Sequence, residues 1–228
     1  MIMQDSIKYA IQYNRILHDS AASGPYKPNG EWDEFTTTVY SLLQENLPAN
    51  SLNMTLADVG SGAGKWTALL SSYWKKIESI EPHQATHQLL AKFVDCLRLP
   101  NVELRTGMMP ECLTSIKTDA TLLLGSLYLV KDWMGAYKLI LESSQWFAIC
   151  DGPDTDSKPI NNDGFDHPLN HPADNITGRL PLLAGVEWEL VQLAEQAGYN
   201  VKVYNIKQLL PNFETGQHWL IIGDKTHA

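Results

Sequence analysis

The chain has 228 residues, with 17 Lys and Arg against 26 Asp and Glu, and its formal net charge is −9 at pH 7. This length supports a buried core without disulfides or a structural metal, and a hydrophobic content of 44% excludes extensive disorder. The three cysteines form no C-x-x-C pair, which disfavours a disulfide framework and a cysteine-rich zinc site. The acidic balance disfavours nucleic acid as a partner, because sequence-independent binding requires clustered cations.

The chain start has no basic segment followed by an apolar run, so it does not read as a signal peptide. No apolar stretch approaches the roughly 18 residues that span a membrane. We therefore expect a soluble, cytoplasmic protein with no membrane association, either a monomer or a homodimer.

The first 50 residues are predicted to be helical. Residues 3–17 carry Ile7, Ile11 and Leu17 at helical spacing, and a second helix is expected over 32–46, ending near Pro48.

From residue 51 the pattern changes to short apolar strands that alternate with helical stretches. Strands are predicted at 56–59, 77–81, 102–106, 120–124 and 146–150, and helices at 64–74, 83–97 and 131–144. Nearly continuous apolar strands in this alternation are typical of a parallel sheet covered by helices on both faces. A Pro-, Asp- and His-rich excursion at 151–181 reads as an irregular loop.

The C-terminal third is predicted to contain a helix at 183–197 and two strands at 200–206 and 217–223. Their short connection makes the two strands an antiparallel pair. The predicted fold is therefore α/β and doubly wound: a mostly parallel seven-stranded sheet with an antiparallel C-terminal strand pair and helices on both faces.

The first strand runs into the glycine-rich segment Asp58-Val-Gly-Ser-Gly-Ala-Gly64. Alternate glycines let the backbone turn tightly and approach a ligand closely. A phosphate P-loop is excluded, because Lys65 is followed by Trp66 and no glycine stands five positions before Gly64. The dinucleotide pattern G-x-G-x-x-G requires a glycine where Lys65 or Thr67 stands, which weakens that alternative without excluding it.

The remaining pattern is an acidic residue followed by x-G-x-G-x-G. It resembles the first motif of class I S-adenosylmethionine-dependent methyltransferases, which reads much like Ala57-Asp-Val-Gly-Ser-Gly-Ala-Gly-Lys-Trp-Thr67. The likeness covers roughly residues 50–150, and the order of elements at 182–223 also fits. It implies S-adenosyl-L-methionine as cofactor and a Rossmann-like catalytic domain over 51–228, with 151–181 as a substrate-loop insertion and 1–50 as an N-terminal helical cap.

The resemblance also assigns residues after the other strands. In the family an acidic residue ends the second strand and grips both ribose hydroxyls, and Glu81, followed by Pro82, stands there. The family also has an acidic residue after the third strand, but Met108 and Met109 stand at that position here. Either a backbone amide of these residues hydrogen-bonds to adenine and their thioethers pack on the ring, or both side chains fill the core. Gly125 opens a segment resembling the fourth motif. The residues assigned to the cofactor are Asp58, Gly60, Ser61, Gly62, Gly64, Glu81, Pro82, Met108, Met109 and Gly125.

Methyl transfer from a sulfonium is an in-line displacement that depends mostly on alignment, and a hydroxyl acceptor also benefits from a base. Four residues are candidates for that role: Tyr128 in the fourth-motif segment, Asp151 at the end of the fifth strand, and His167 and His171 in the excursion. Each histidine precedes a proline, which disfavours a helix and a shared zinc ion there. No metal is predicted.

The predicted function is transfer of a methyl group to an O or N atom of a small-molecule acceptor. Alternatives on the same fold are a peptide or protein methyltransferase, aminopropyl transfer and a nicotinamide-dependent step. The missing acid after the third strand leaves open a non-catalytic reading, in which the chain is a cofactor-binding or pseudo-methyltransferase partner subunit.

Overall fold

The computed structural model of the chain describes residues 8–13, 15–16, 32–127, 130, 132–151, 186–212 and 219–225. The strands are β1 (Thr55–Val59), β2 (Lys76–Ile80), β3 (Val102–Arg105), β4 (Ala120–Leu124), β5 (Trp146–Asp151), β6 (Asn200–Asn205) and β7 (Trp219–Asp224). The helices are α1 (8–13 and 15–16), α2 (Glu34–Glu45), α3 (Lys65–Leu70), α4 (Gln84–Leu97), α5 (Glu111–Thr114), α6 (Trp133–Ser143), α7 (Val186–Gln196) and α8 (Ile206–Leu209).

The seven strands form one sheet in the order β3-β2-β1-β4-β5-β7-β6. Strands β1 to β5 pair in parallel, and β7 runs antiparallel to both β5 and β6. The predicted mostly parallel sheet with an antiparallel C-terminal pair is confirmed. The strand order reverses beside β1, since β2 lies on one side of it and β4 on the other. Open α/β sheets bind ligands at the carboxyl edge of such a switch point.

Strand β5 illustrates why the central strands are apolar throughout. Trp146, Ala148 and Cys150 point to one face of the sheet and pack with α2, α3 and α8. Phe147 and Ile149 point to the other face and pack with α6 and α7. All five are fully buried, because successive side chains of a strand alternate between faces and both faces are covered by helices.

The N-terminal helices pack on the face of the sheet that carries α3 and α4. Tyr13 of α1 contacts Phe93 of α4, with ring centroids 5.3 Å apart, and Trp32, at 5.4 Å. Helix α2 is capped by Asp33, whose carboxylate accepts a hydrogen bond from the Thr36 amide at 2.6 Å. Since α2 shares one hydrophobic cluster with β1 and β4, it is part of the core that supports the sheet.

Two short helices, α5 and α8, were not predicted, and α3 ends earlier than expected in a 3-10 turn at Ser71–Tyr73. A helix of four residues has too few positions for a hydrophobic period to be recognised. Within the described ranges, every helix is too short or too polar to cross a membrane.

Candidate cofactor-binding site

The glycine-rich turn after β1 has a left-handed backbone at Gly60, Gly62 and Gly64, with φ of +69°, +57° and +93°. A Cβ atom at Gly60 would lie 2.6 Å from Cβ and Oγ of Ser126, and one at Gly64 would lie 2.6 Å from Cδ1 of Leu90. A Cβ at Gly62 would meet no heavy atom within 4 Å. The outer glycines are therefore required by close packing, whereas the central one borders open space that ligand atoms can occupy.

Backbone hydrogen bonds tie this turn to the ends of the neighbouring strands. The amides of Gly60 and Ser61 both donate to the carbonyl of Ile80, at 2.9 and 3.1 Å. The hydroxyl of Ser126 donates to the carbonyl of Val59 at 3.0 Å. The carboxyl ends of β1, β2 and β4 thus meet at one point of the sheet edge.

Glu81, the predicted ribose acid, follows β2 and is 4% exposed. Its Oε2 accepts a hydrogen bond from the amide of Gly62 at 2.9 Å, and its Oε1 accepts one from the amide of His83, also at 2.9 Å. These two bonds help to fix the orientation of the carboxylate. The structure therefore places the Glu81 carboxylate directly against the central glycine of the turn.

Asp58, the acidic residue that precedes the glycines, is buried at the base of the turn with 2% exposure. It accepts a hydrogen bond from the Thr67 hydroxyl, which lies 2.8 Å from the hydroxyl of Ser79. Burial raises the pKa of Asp58 to about 7; the hydrogen bond from Thr67 opposes this rise and the charge of Glu81 adds to it. This network joins α3 to β1 and β2, and so holds the turn from beneath.

Ser61 lies between the first two glycines of the turn and is 6% exposed. Its hydroxyl is buried and has no hydrogen-bond partner among the described residues. An unpaired buried hydroxyl costs about 1–3 kcal/mol. Because it is adjacent to the open space at Gly62, it fits a site that a polar ligand group completes.

The remaining predicted cofactor positions lie around this turn. Met109 packs against the hydrophobic cluster beneath α6, so core filling accounts for its side chain, whereas Met108 is 59% exposed. Gly125, with φ of +77°, donates from its amide to the carbonyl of Cys150 at 2.7 Å. Pro82 is half-buried beside Glu81.

The four candidate bases remain predictions. Tyr128, His167 and His171 lie outside the described residues, and Asp151 is described by its backbone alone, paired with Trp219 at the end of β5. In the described part of the chain, no group of three or more His, Cys, Asp or Glu side chains is arranged to hold a metal ion.

Lys65, the first residue of α3, makes a contact that the motif analysis did not predict. Its Nζ donates a hydrogen bond to the Thr36 hydroxyl of α2 at 3.0 Å and lies 5.0 Å from the ring centroid of Trp66. Burial lowers the pKa of Lys65, and the electrostatic interaction with the Asp33 carboxylate opposes that shift. No sequence signal links Lys65 to α2, because the contact depends on how two distant helices pack.

No protein-family model matches the chain, and a search of curated proteins finds no match. Solved structures do match. The N-terminal domain of EvdMO1, solved in the presence of SAH and D-fucose, is similar over 93% of this chain and 94% of its own, with a TM-score of 0.61 and 16% identity. An rRNA methylase from Streptococcus thermophilus is similar over 86% and 98%, with a TM-score of 0.56 and 15% identity.

A precorrin-6y C5,15-methyltransferase from Geobacter metallireducens is similar over 83% of this chain and 87% of its own, with a TM-score of 0.54 and 13% identity. At such identities the likeness establishes the fold and does not select an acceptor, since the names of these proteins refer to acceptors as different as rRNA and a precorrin. The chain has the fold of class I S-adenosylmethionine-dependent methyltransferases.

Proposed function

We propose that the chain binds S-adenosyl-L-methionine at the carboxyl edge of β1 and β2 and transfers its methyl group to an O or N atom of a small-molecule acceptor. The observation that carries this proposal is the contact between the Glu81 carboxylate and the amide of Gly62, at the point where the strand order reverses. It brings together an acceptor group for a sugar diol and a glycine turn open to a ligand.

The residues of the turn fit the two polar parts of this cofactor. Glu81 would accept hydrogen bonds from the ribose hydroxyls, a role that suits two carboxylate oxygens facing a vicinal diol. The hydroxyl of Ser61, which has no hydrogen-bond partner among the described residues, and the open space beside Gly62 would accommodate the amino-acid tail. The exposed Met108 lies after β3, where the adenine ring is expected in this fold, and its thioether is suited to packing on a ring.

The bound cofactor supplies an electrophilic methyl group on a sulfonium that is already a good leaving group. The chain therefore contributes mainly orientation and exclusion of water. The glycine turn and Glu81 hold one reactant in place, and any of Tyr128, Asp151, His167 and His171 that faces the acceptor would take its proton. An amine acceptor needs only to be neutral, whereas a hydroxyl acceptor benefits from such a base.

A small-molecule acceptor suits the charge of the protein. A formal net charge of −9 disfavours binding of the chain to a phosphate backbone. We propose that the protein carries out this reaction in the cytoplasm, as a monomer or a homodimer.

The ribose assignment is tested by replacing Glu81 with Gln and with Ala and measuring the affinity for S-adenosylhomocysteine by calorimetry. Loss of hydrogen bonds to a charged acceptor weakens binding by about 1–3 kcal/mol, and Ala should have the larger effect because it also releases the amide of Gly62. Glu142→Ala, an exposed substitution on α6, serves as the control and should leave affinity unchanged. Equal affinity of the Glu81 variants and the parent protein would remove the ribose assignment.

One observation favours a second candidate, a partner subunit that binds the cofactor without transferring its methyl group. The position after β3 where the family has an acid carries the exposed Met108. A screen of metabolites and peptides with methyl-labelled cofactor separates the two functions: labelled product supports the transferase, and binding of S-adenosylhomocysteine without any product supports the subunit.

A further inference from the structure

Helix α1 packs against the glycine turn at Ala63. This alanine is 8% exposed and forms a small hydrophobic cluster with Leu89 of α4. Tyr13 and Ile16 of α1 pack against that cluster. A helix from the N-terminal segment therefore supports the turn that the proposed function assigns to the cofactor.

The turn depends on such support because it has few side chains of its own. Three of the residues 60–64 are glycines with positive φ, and the central one, Gly62, borders open space. Glycine loses more conformational freedom than any other residue when it is ordered. Contacts that order a binding loop in advance raise its affinity for a ligand. The buried methyl group of Ala63, the residue after Gly62, is a point where packing can order this turn.

Tyr13 is connected to the turn by a second set of contacts. Its ring lies 5.3 Å from the ring of Phe93, in an edge-on arrangement, and 5.4 Å from the ring of Trp32. Phe93 in turn borders the last glycine, since a Cβ atom at Gly64 would lie 3.2 Å from Cδ1 of Phe93. Tyr13 thus packs with residues that border both Ala63 and Gly64.

We propose that Tyr13 and Ile16 are positioning residues, which hold the glycine turn in its binding conformation by packing at Ala63. This inference rests on the proposed function, because it requires that the turn hold the cofactor. It assigns to α1 a role in cofactor affinity in addition to its role in the stability of the fold.

The test is calorimetric titration of full-length variants with S-adenosylhomocysteine. Tyr13→Ala and Ile16→Ala should weaken binding about threefold to thirtyfold, the range typical of residues that act through a neighbour. Tyr13→Phe keeps the ring and should bind like the parent protein. Ile16→Ala is the smaller truncation, and it carries the test if Tyr13→Ala does not fold.

Tyr9→Ala is the matched control, because it removes the same side chain from the same helix. Tyr9 packs with a different cluster, formed by Ala68, Phe93 and Leu97. In the described part of the chain it is not among the residues that pack against Ala63 and Leu89. Tyr9→Ala should therefore lower the urea midpoint, as Tyr13→Ala does, and leave the affinity for S-adenosylhomocysteine unchanged.

A double-mutant cycle tests whether Tyr13 acts through Ala63. Ala63→Gly removes the methyl group at the contact and should weaken binding by itself. If the two residues act together, Tyr13→Ala should have a smaller effect on affinity in the Ala63→Gly background than in the parent protein, since residues in contact are not additive. Strictly additive effects would contradict the proposed route.

Two further results would overturn the inference and leave the proposed function intact. One is that Tyr13→Ala and Ile16→Ala bind S-adenosylhomocysteine as tightly as the parent protein. The other is that Tyr9→Ala or Tyr13→Phe loses as much affinity as Tyr13→Ala, since packing of the Tyr13 ring near the turn would then not be the cause. Failure of the parent protein to bind S-adenosylhomocysteine would instead refute the proposed function itself.

Discussion

Replacing Asp58 with Asn should change how the stability of the fold depends on pH. The native pKa of Asp58 is about 7, against an ordinary value of 3.8, because the carboxyl group is buried. Between these values the folded protein retains a proton that the unfolded chain has released, so the contribution of Asp58 to stability falls as the pH rises from about 4 to about 7. A difference of about three pKa units at about 1.4 kcal/mol each sets an upper bound of about 4 kcal/mol.

The amide of Asn is uncharged at every pH and is close in shape to the protonated acid, so it can keep a hydrogen bond to Thr67. We therefore expect the free energy of unfolding of Asp58→Asn to rise relative to the parent protein by up to about 4 kcal/mol between about pH 4 and about pH 7. Urea denaturation at a series of pH values measures this difference. Asp95→Asn, on the exposed face of α4, is the control. A difference between Asp58→Asn and parent that does not vary with pH, or the same trend in the control, would refute the reasoning.

Further predictions concern packing and buried hydrogen bonds. Gly60→Ala should destabilise the fold by about 2–5 kcal/mol, because it combines backbone strain with a clash against Ser126. Gly62→Ala should destabilise it by only about 1–2 kcal/mol, because backbone strain is then the only cost. Equal urea midpoints for the two variants would contradict this prediction. Tyr137→Phe should cost about 1–3 kcal/mol, since the buried Tyr137 hydroxyl donates to the carbonyl of Leu190 at 2.8 Å, and an unchanged urea midpoint would count against that contact.

The arrangement of elements from β1 to β7 was accessible from the sequence because it depends on local patterns. Continuous apolar segments such as 120–124 and 146–150 predict strands buried on both faces, and the structure places them at the centre of the sheet. The glycine turn was equally accessible, since alternate glycines between a strand and a helix have few structural explanations. The left-handed backbone at Gly60, Gly62 and Gly64 agrees with that prediction.

The contacts that build the site could not be read from the same patterns. The hydrogen bond from the Gly62 amide to Glu81 and the Thr67 link between Asp58 and Ser79 join residues on different elements. Their formation depends on side-chain direction and on the distance between packed strands, neither of which a single sequence encodes in a periodic form. The positions of the four candidate bases are untested for a different reason: their side chains lie outside the described residues.

Calorimetric titration of the parent protein with S-adenosylhomocysteine, and separately with NAD, tests most directly whether the turn after β1 holds an amino-acid tail and not a pyrophosphate. We predict saturable binding of S-adenosylhomocysteine at one site per chain and no measurable binding of NAD. Saturable binding of NAD with no response to S-adenosylhomocysteine would contradict the cofactor assignment and, with it, the proposed methyl transfer.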